Sequence, residues 1–175
     1  DMKKDEIKAL EEKIAKKECP VVSNNSAHRF TPDVPLVVPE INPEDALKHH
    51  GILSNPNCST IITMTAIAAL NRLSPIRTMV ASTYQAVSGA GAEGLAELEQ
   101  QARDYAAGKS LTAKVFPWQI AFNVIPQIGG DSGNGYTSEE MKMQNEGLKI
   151  MHLPELKVTC TCVRVPVLRS HSISV

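Results

Sequence analysis

Apolar residues recur at helical spacing in four stretches of the chain, and between them they alternate or run together in short segments bounded by proline and glycine. In residues 3 to 17, Ile7, Leu10 and Ile14 share one helical face and Glu12 pairs with Lys16 on the other, which predicts an amphipathic surface helix. Residues Thr60 to Leu73 are apolar nearly all round, so that helix is expected to be buried, and Ser74-Pro75 stops it. Ala92 to Ala107 reads as a helix with Leu95, Leu98, Ala102 and Tyr105 inward and Gly108 as its stop. Thr137 or Ser138 caps a fourth helix through about Ile150, with Glu140 and Met141 at capping-box distance.

Extended runs fall at Pro20 to Val22, Pro35 to Pro39 and Ile76 to Ser82, with the clearest at Lys157 to Val167, and Ile52-Leu53 leads into the turn before Cys58. Residues 43 to 49 form a brief helix, 24 to 33 a loop, and 110 to 135 a proline- and glycine-rich loop with a short strand near Ala121 to Ile125. With 175 residues and 42% hydrophobic content the chain can build one globular domain and part of a second. The net charge of -1, with both signs interleaved, gives no footprint for nucleic acid or an anionic membrane. The longest apolar run, Ile61 to Leu70, is broken by Thr63 and Thr65 and is too short to span a bilayer. The charges at Asp1, Lys3, Lys4, Asp5 and Glu6 do not make a signal-peptide pattern, so cytoplasm is the expected compartment.

Four cysteines, Cys19, Cys58, Cys160 and Cys162, lack metal-site spacing. Cys160 and Cys162 share one face of a strand; zinc there needs two further ligands, with only His171 near, and no metal is expected. Cys58 differs. Pro56 disfavours helix at Asn55, Asn57 can cap, and Cys58 then sits in the first helical turn, where unpaired N-H groups favour a thiolate. The plain alternative is a small buried hydrophobe. Gly89-Ala90-Gly91-Ala92-Glu93-Gly94 matches G-x-G-x-x-G, yet no acidic residue follows at the ribose-binding distance, so a turn and helix start is the better reading. Gly89 and Gly91 still allow a flat ligand close to the backbone. Glu139 and Lys142, three apart, form either a surface ion pair or two contacts to a zwitterion. Arg164, on the face of Cys160 and Cys162, needs an anionic partner from protein or ligand. His171 serves as a base beside it only if the chain turns at Leu168-Arg169-Ser170; otherwise it is structural or exposed.

Taken together, Asn24-Asn25-Ser26-Ala27-His28-Arg29, Asp33-Val34-Pro35, Pro39-Glu40-Ile41-Asn42, Asn55-Pro56-Asn57-Cys58-Ser59-Thr60, Tyr84 to Gly91 and Arg164 to Ser172 resemble the aspartate-semialdehyde dehydrogenase family, in order and across nearly the whole chain. Asn57 before the cysteine argues against the related N-acetyl-glutamyl-phosphate reductases, which carry glycine there. The resemblance implies NADPH-dependent reduction of L-aspartyl 4-phosphate to the semialdehyde and phosphate through a cysteine thioester, in lysine, threonine and methionine biosynthesis. It assigns Cys58 as nucleophile, His171 as acid/base and Gln85 as the residue positioning the acyl group. Arg164 would hold the substrate carboxylate, and Glu139, or Glu140 in a shifted register, the ammonium. Lys142 and Asn57 would hold phosphate, and Ser88 and Gly89 would meet the nicotinamide end of NADP.

The implied fold is α/β (α+β), like the C-terminal catalytic domain of glyceraldehyde-3-phosphate dehydrogenase, a mixed sheet with helices packed on it. Residues 1 to 33 would be the tail of an NADP-binding domain whose Gly-rich part is missing. Residues 34 to 175 would be a catalytic and dimerisation domain, truncated at its C-terminus, working as a dimer or tetramer. A non-catalytic assembly fragment with weak or no cofactor binding is the alternative expectation.

Overall fold

The computed structural model describes residues 2 to 175; Asp1, the first residue of the expected 1 to 33 segment, lies outside the described residues. In chain order the elements are α1 (Lys4–Ala15), β1 (Val21–Ser23), a 3-10 helix (Pro43–Lys48), β2 (Ile52–Ser54), α2 (Cys58–Leu73), β3 (Thr78–Gln85), a 3-10 turn (Val87–Ala90), α3 (Gly91–Ala106), α4 (Ser138–Met151), β4 (Lys157–Arg164) and β5 (Ser172–Ser174). They form two compact units, one of residues through Met79 with Lys142–Lys157, the other of Val80–Met141 with Val158–Val175.

In the first unit β1 and β2 pair in parallel, Val21 with Ile52 and Ser23 with Ser54, and Leu36 bridges Ser54 on the far side. The proline-bounded run at 35 to 39 is thus extended but contributes a single bridge rather than a strand. Leu36, Val38 and Ile150 form the core with Ile41 and Ile61 against them. Gly147 lets α4 approach α2, since a Cβ there would collide with the Met64 side chain.

Helix α1 is the surface helix expected from the sequence, while the expected all-round burial of α2 is corrected. Leu10 and Ile14 are exposed, and α1 buries no residue. Its anchor is polar, with the Ser23 hydroxyl donating to Glu11 Oε1 at 2.6 Å. Helix α2 buries only the side carrying Ser59, Thr60, Thr63, Met64, Ile67 and Ala68, while Ile62, Leu70 and Leu73 are exposed. Periodicity shows which residues share a face, not whether anything covers it.

The three-stranded sheet has the order β4-β3-β5. Strand β5 is antiparallel to β3, with Thr83 opposite Ile173. Lys157 N donates to the Arg77 carbonyl and Val165 N to the Gln85 carbonyl, a constant offset that makes β4 parallel to β3 and the sheet mixed. Strand β3 lies two to three residues later than the sequence suggested, and β4 stops at Arg164, just before Pro166. In the second unit Val87, Leu98, Phe116, Ile120, Ala121 and Ile125 form the core.

Two further expectations change here. Ala102 and Tyr105 of α3 face out, and the helix instead buries Gly94, Glu97, Leu98 and Gln101. The strand expected at 121 to 125 shrinks to one bridge, Ile125 to Arg164. The two observations have one cause. Glu97 accepts from the backbone N-H of Lys114 and Val115, while Gln101 Oε1 accepts from those of Ile120 and Ala121 and its Nε2 donates to the Thr112 carbonyl. Side chains of α3 thereby satisfy backbone groups that a strand ladder satisfies elsewhere.

Candidate active site

Cys58 opens α2, as its spacing predicted, and is exposed. Asn57 is the cap: its Oδ1 accepts from Ser59 N at 3.1 Å, Thr60 N at 3.4 Å and the Ser59 hydroxyl at 2.6 Å. The segment arrives already aligned, because Asn55 N donates to the Ser23 carbonyl at the end of the β1–β2 pair. Asn57 N donates to Glu146 Oε2 at 2.7 Å, and Glu146 Oε1 meets Arg29 Nη1 at 3.0 Å. Arg29 also donates to the carbonyls of Asn55 and Asn24. Burial pushes the Glu146 carboxyl above its usual range, against the opposing pull of Asn57 N-H and Arg29. Lys142 lies one turn before Glu146 on α4 and is half-buried.

Sequence reasoning missed Arg29 and Glu146 as supports of the cysteine turn. A signal existed for the second: Met143, Glu146 and Ile150 follow apolar helical spacing, and all three are completely buried. A carboxylate on such a stripe requires a cation or N-H donors. Lys149 was likewise unremarked, and its Nζ donates to the carbonyls of Arg29 and Val34 at 3.0 and 2.9 Å, fixing the loop that carries Arg29.

The remaining candidates belong to the second unit. Gln85 ends β3 and is buried; its Nε2 donates to Glu139 Oε1 at 3.1 Å and its Oε1 lies 3.2 Å from the Thr83 hydroxyl. Glu139 and Glu140 have separate tasks. Glu140 closes the capping box with Thr137, accepting from Thr137 N at 2.7 Å, and its other oxygen accepts from Cys162 N at 3.0 Å. Arg164 is buried on the β4 face of Cys160 and Cys162, donates to the Ala86 carbonyl at 2.8 Å, and lies 5.9 Å from the Phe116 ring centroid. Ser170 at φ +74° makes the turn that His171 required. His171 Nδ1 then accepts from Ala86 N at 3.0 Å, which leaves the proton of the neutral ring at Nε2. Burial and the Arg164 charge lower the His171 pKa, with Glu139 opposing.

Ser88 and Gly89 lie in the 3-10 turn after β3. A Cβ at Gly89 would come within 2.8 Å of Arg164 Nη1 and 3.4 Å of His171 Cε1, so glycine at this position makes room for two side chains of the protein itself. Gly94 packs against the Val87 carbonyl, where a Cβ would sit at 2.6 Å. The G-x-G-x-x-G match is therefore accounted for by local packing. The structure thus gathers Gln85, Glu139, Arg164, His171, Ser88 and Gly89 in the second unit, and Asn57, Cys58 and Lys142 in the first. Among the described residues no group of three or more His, Cys, Asp or Glu is arranged to hold a metal ion, and no helix is long and apolar enough to cross a membrane.

A family model for the semialdehyde dehydrogenase dimerisation domain matches residues 67 to 175, and one for the NAD binding domain of the same enzymes matches residues 2 to 49. The chain belongs to the semialdehyde dehydrogenase family. It is 49% identical to the aspartate-semialdehyde dehydrogenase of Synechocystis sp. over 161 residues, 92% of this chain and 48% of that protein. It is also 49% identical to that of Aquifex aeolicus over 166 residues, 93% of this chain and 49% of that protein. Among solved structures, aspartate semialdehyde dehydrogenase II from Vibrio cholerae, complexed with ASA, matches with a TM-score of 0.91 at 42% identity, covering 94% of this chain and 51% of that one. An NADP complex of the Candida albicans enzyme matches with a TM-score of 0.69 at 26% identity, covering 99% of this chain and 48% of that one. The chain spans about half the length of the curated relatives it matches. The α/β fold expected from the sequence agrees with these neighbours.

Proposed function

We propose that this chain carries the catalytic residues of an NADP-dependent aspartate-semialdehyde dehydrogenase, reducing L-aspartyl 4-phosphate to the semialdehyde. The observation that carries the proposal is an exposed thiol at the first position of a helix whose cap is tied to a buried carboxylate. There the thiolate is favoured and is the attacking species. Cys58 attacks the acyl carbon, phosphate departs to Lys142 and Asn57, and a thioester forms. Arg164 grips the substrate carboxylate and Glu139 its ammonium, while Gln85 positions the acyl oxygen. Protons exchanged with that oxygen move at Nε2 of His171, because Nδ1 is occupied by Ala86 N-H.

Ser88 and Gly89 fit the nicotinamide end of the cofactor: Gly89 is exposed and Ser88 half-buried, in a turn whose glycine keeps His171 and Arg164 close. When bound, the nicotinamide supplies the hydride that reduces the thioester. The proposal keeps the cytoplasm as the site of this biosynthetic reaction and a homodimer or tetramer as the working form. One observation favours assembly independently of catalysis: Val80 and Tyr84 are 63% and 45% exposed on the outer face of β3, within the stretch matched by the dimerisation domain.

The test is alkylation of each cysteine against pH, read by peptide mass spectrometry, followed by incubation with aspartate semialdehyde, phosphate and NADP. Selective reaction of Cys58 near neutral pH and a semialdehyde adduct on Cys58 are expected. If Cys58 reacts like exposed Cys19 and takes no adduct, while sedimentation shows a stable dimer, the assembly role replaces the catalytic one.

A further inference from the structure

Behind Gln85 lies a row of buried polar side chains that the proposed reaction does not use. Cys160 Sγ is 3.5 Å from Cys162 Sγ, the Cys162 thiol hydrogen-bonds to the Thr83 hydroxyl, and Thr83 Oγ1 is 3.2 Å from Gln85 Oε1. The row continues from Gln85 Nε2 to Glu139. Thr83 and Cys162 are completely buried, and Cys160 and Gln85 nearly so.

The donor inventory gives this row a direction. An ionised Glu139 only accepts, so Gln85 must turn its NH2 toward Glu139 and its carbonyl toward Thr83. The single Thr83 proton is then committed to that carbonyl, so a protonated Cys162, whose sulfur faces Cys160, meets the hydroxyl only through its lone pairs. We propose that Thr83, oriented by the Cys160–Cys162 thiol pair, is a positioning residue that locks the Gln85 amide so that its second N-H is the donor offered to the acyl oxygen of the substrate. This rests on the functional reading above, since the acyl oxygen belongs to that reaction. The hydrogen bond to Cys162, burial and the charges of Cys162, Glu140 and Glu139 push the Cys160 pKa up, while hydrogen bonds with Cys160 and Thr83 lower that of Cys162 against its burial.

The arrangement is tested in the whole chain labelled with 15N-glutamine, the Gln85 side-chain amide being identified by its loss in Gln85→Glu. In the parent protein its two protons should exchange with solvent at least tenfold more slowly than those of the exposed Gln100. Thr83→Val should speed that exchange about tenfold, and Thr83→Ser, which keeps the hydroxyl, should hold it within twofold of the parent. Cys162→Ala, a smaller change that removes the donor to Thr83, should fall between them, and it decides the matter if Thr83→Val does not fold. An unchanged Gln85 amide in folded Thr83→Val or Cys162→Ala, or a Thr83→Ser that behaves like Val, overturns the inference. Semialdehyde adduct formation on Cys58 is followed in the same proteins, and Thr83→Val should slow it at least tenfold with Thr83→Ser restoring it. A parent protein that forms no adduct defeats the functional reading, while the amide exchange still decides the role of Thr83.

Discussion

Replacing Asn57 separates the start of the helix, which its cap makes, from the thiolate that the proposed function asks of Cys58. One oxygen, Asn57 Oδ1, serves three donors, Ser59 N, Thr60 N and the Ser59 hydroxyl, in a residue 7% exposed. Losing an N-cap costs about 0.5 to 2 kcal/mol, and the high end applies where the cap is buried. The completely buried Ser59 hydroxyl left without an acceptor adds about 1 kcal/mol. Asn57→Ala should therefore destabilise the protein by roughly 2 to 3 kcal/mol. With a urea slope of about 2 kcal/mol/M, the unfolding midpoint should drop by at least ~1 M. Asn57→Ser, another good cap, should lose less than about 0.5 kcal/mol.

Asn57→Asp is the informative variant, because it keeps an acceptor for the helix but puts a carboxylate beside the thiol and next to Glu146. Two unit charges about 4 Å apart repel by roughly 1 kcal/mol even with the full screening of bulk water. Helix stability should survive while Cys58 alkylation near neutral pH slows roughly fivefold or more. The assays are urea denaturation followed by circular dichroism and the pH dependence of Cys58 alkylation. A midpoint shift below about 0.25 M in Asn57→Ala, or unchanged alkylation in Asn57→Asp, would falsify the view that this cap governs both helix and thiol.

Three further outcomes follow from groups around the two units. Asp45 is held below its ordinary value of 3.8: burial acts to raise it but is outweighed by hydrogen bonds from Lys48 and Asn42 and by the charges of His152 and Lys48. Its stabilisation is complete above 3.8 and is lost as pH falls through the lower folded value, so Asp45→Asn should flatten the acid limb of urea midpoints measured from pH 2 to 6. His171 is held below 6.5 by burial and by Arg164, so its contribution to stability declines as pH falls from 6.5 and levels off below the folded value; Arg164→Gln should raise the His171 pKa in an NMR titration, and no movement would exclude Arg164 as a cause. Gln101→Leu should leave the N-H groups of Ile120 and Ala121 unsatisfied, costing about 2 to 4 kcal/mol in total, with faster hydrogen exchange at those two amides as the direct readout.

The parts of this fold that were legible in the sequence are those whose cause is local. Asn57 caps Cys58 because proline, asparagine and an apolar run stand in that order, and Thr137 with Glu140 closes a capping box because the two are three apart. The turn before His171 could be stated as a condition, since alternation along β4 fixes the face of Arg164 and an odd offset demands a reversal; Ser170 supplies it. Burial of whole faces was not legible in this way. Leu10 and Ile14 share a face with Ile7, but whether that face is covered depends on elements elsewhere in the chain.

The polar interior has a different logic. Arg29 and Glu146 stand 117 positions apart, and no local pattern selects one as the partner of the other. What can be read locally is the demand rather than its answer. A carboxylate on the buried stripe of α4 requires donors, as does a glutamate or glutamine on the buried face of α3, and in each case those donors are backbone N-H groups of an irregular segment, joined at Glu146 by Arg29. Within each unit, irregular segments that form no ladder are held in place by buried helical side chains. It follows that charged or amide residues at apolar helical positions mark which loops the fold keeps rigid. Here Glu146 marks the Asn57–Cys58 turn and Gln101 the segment at Ile120 and Ala121.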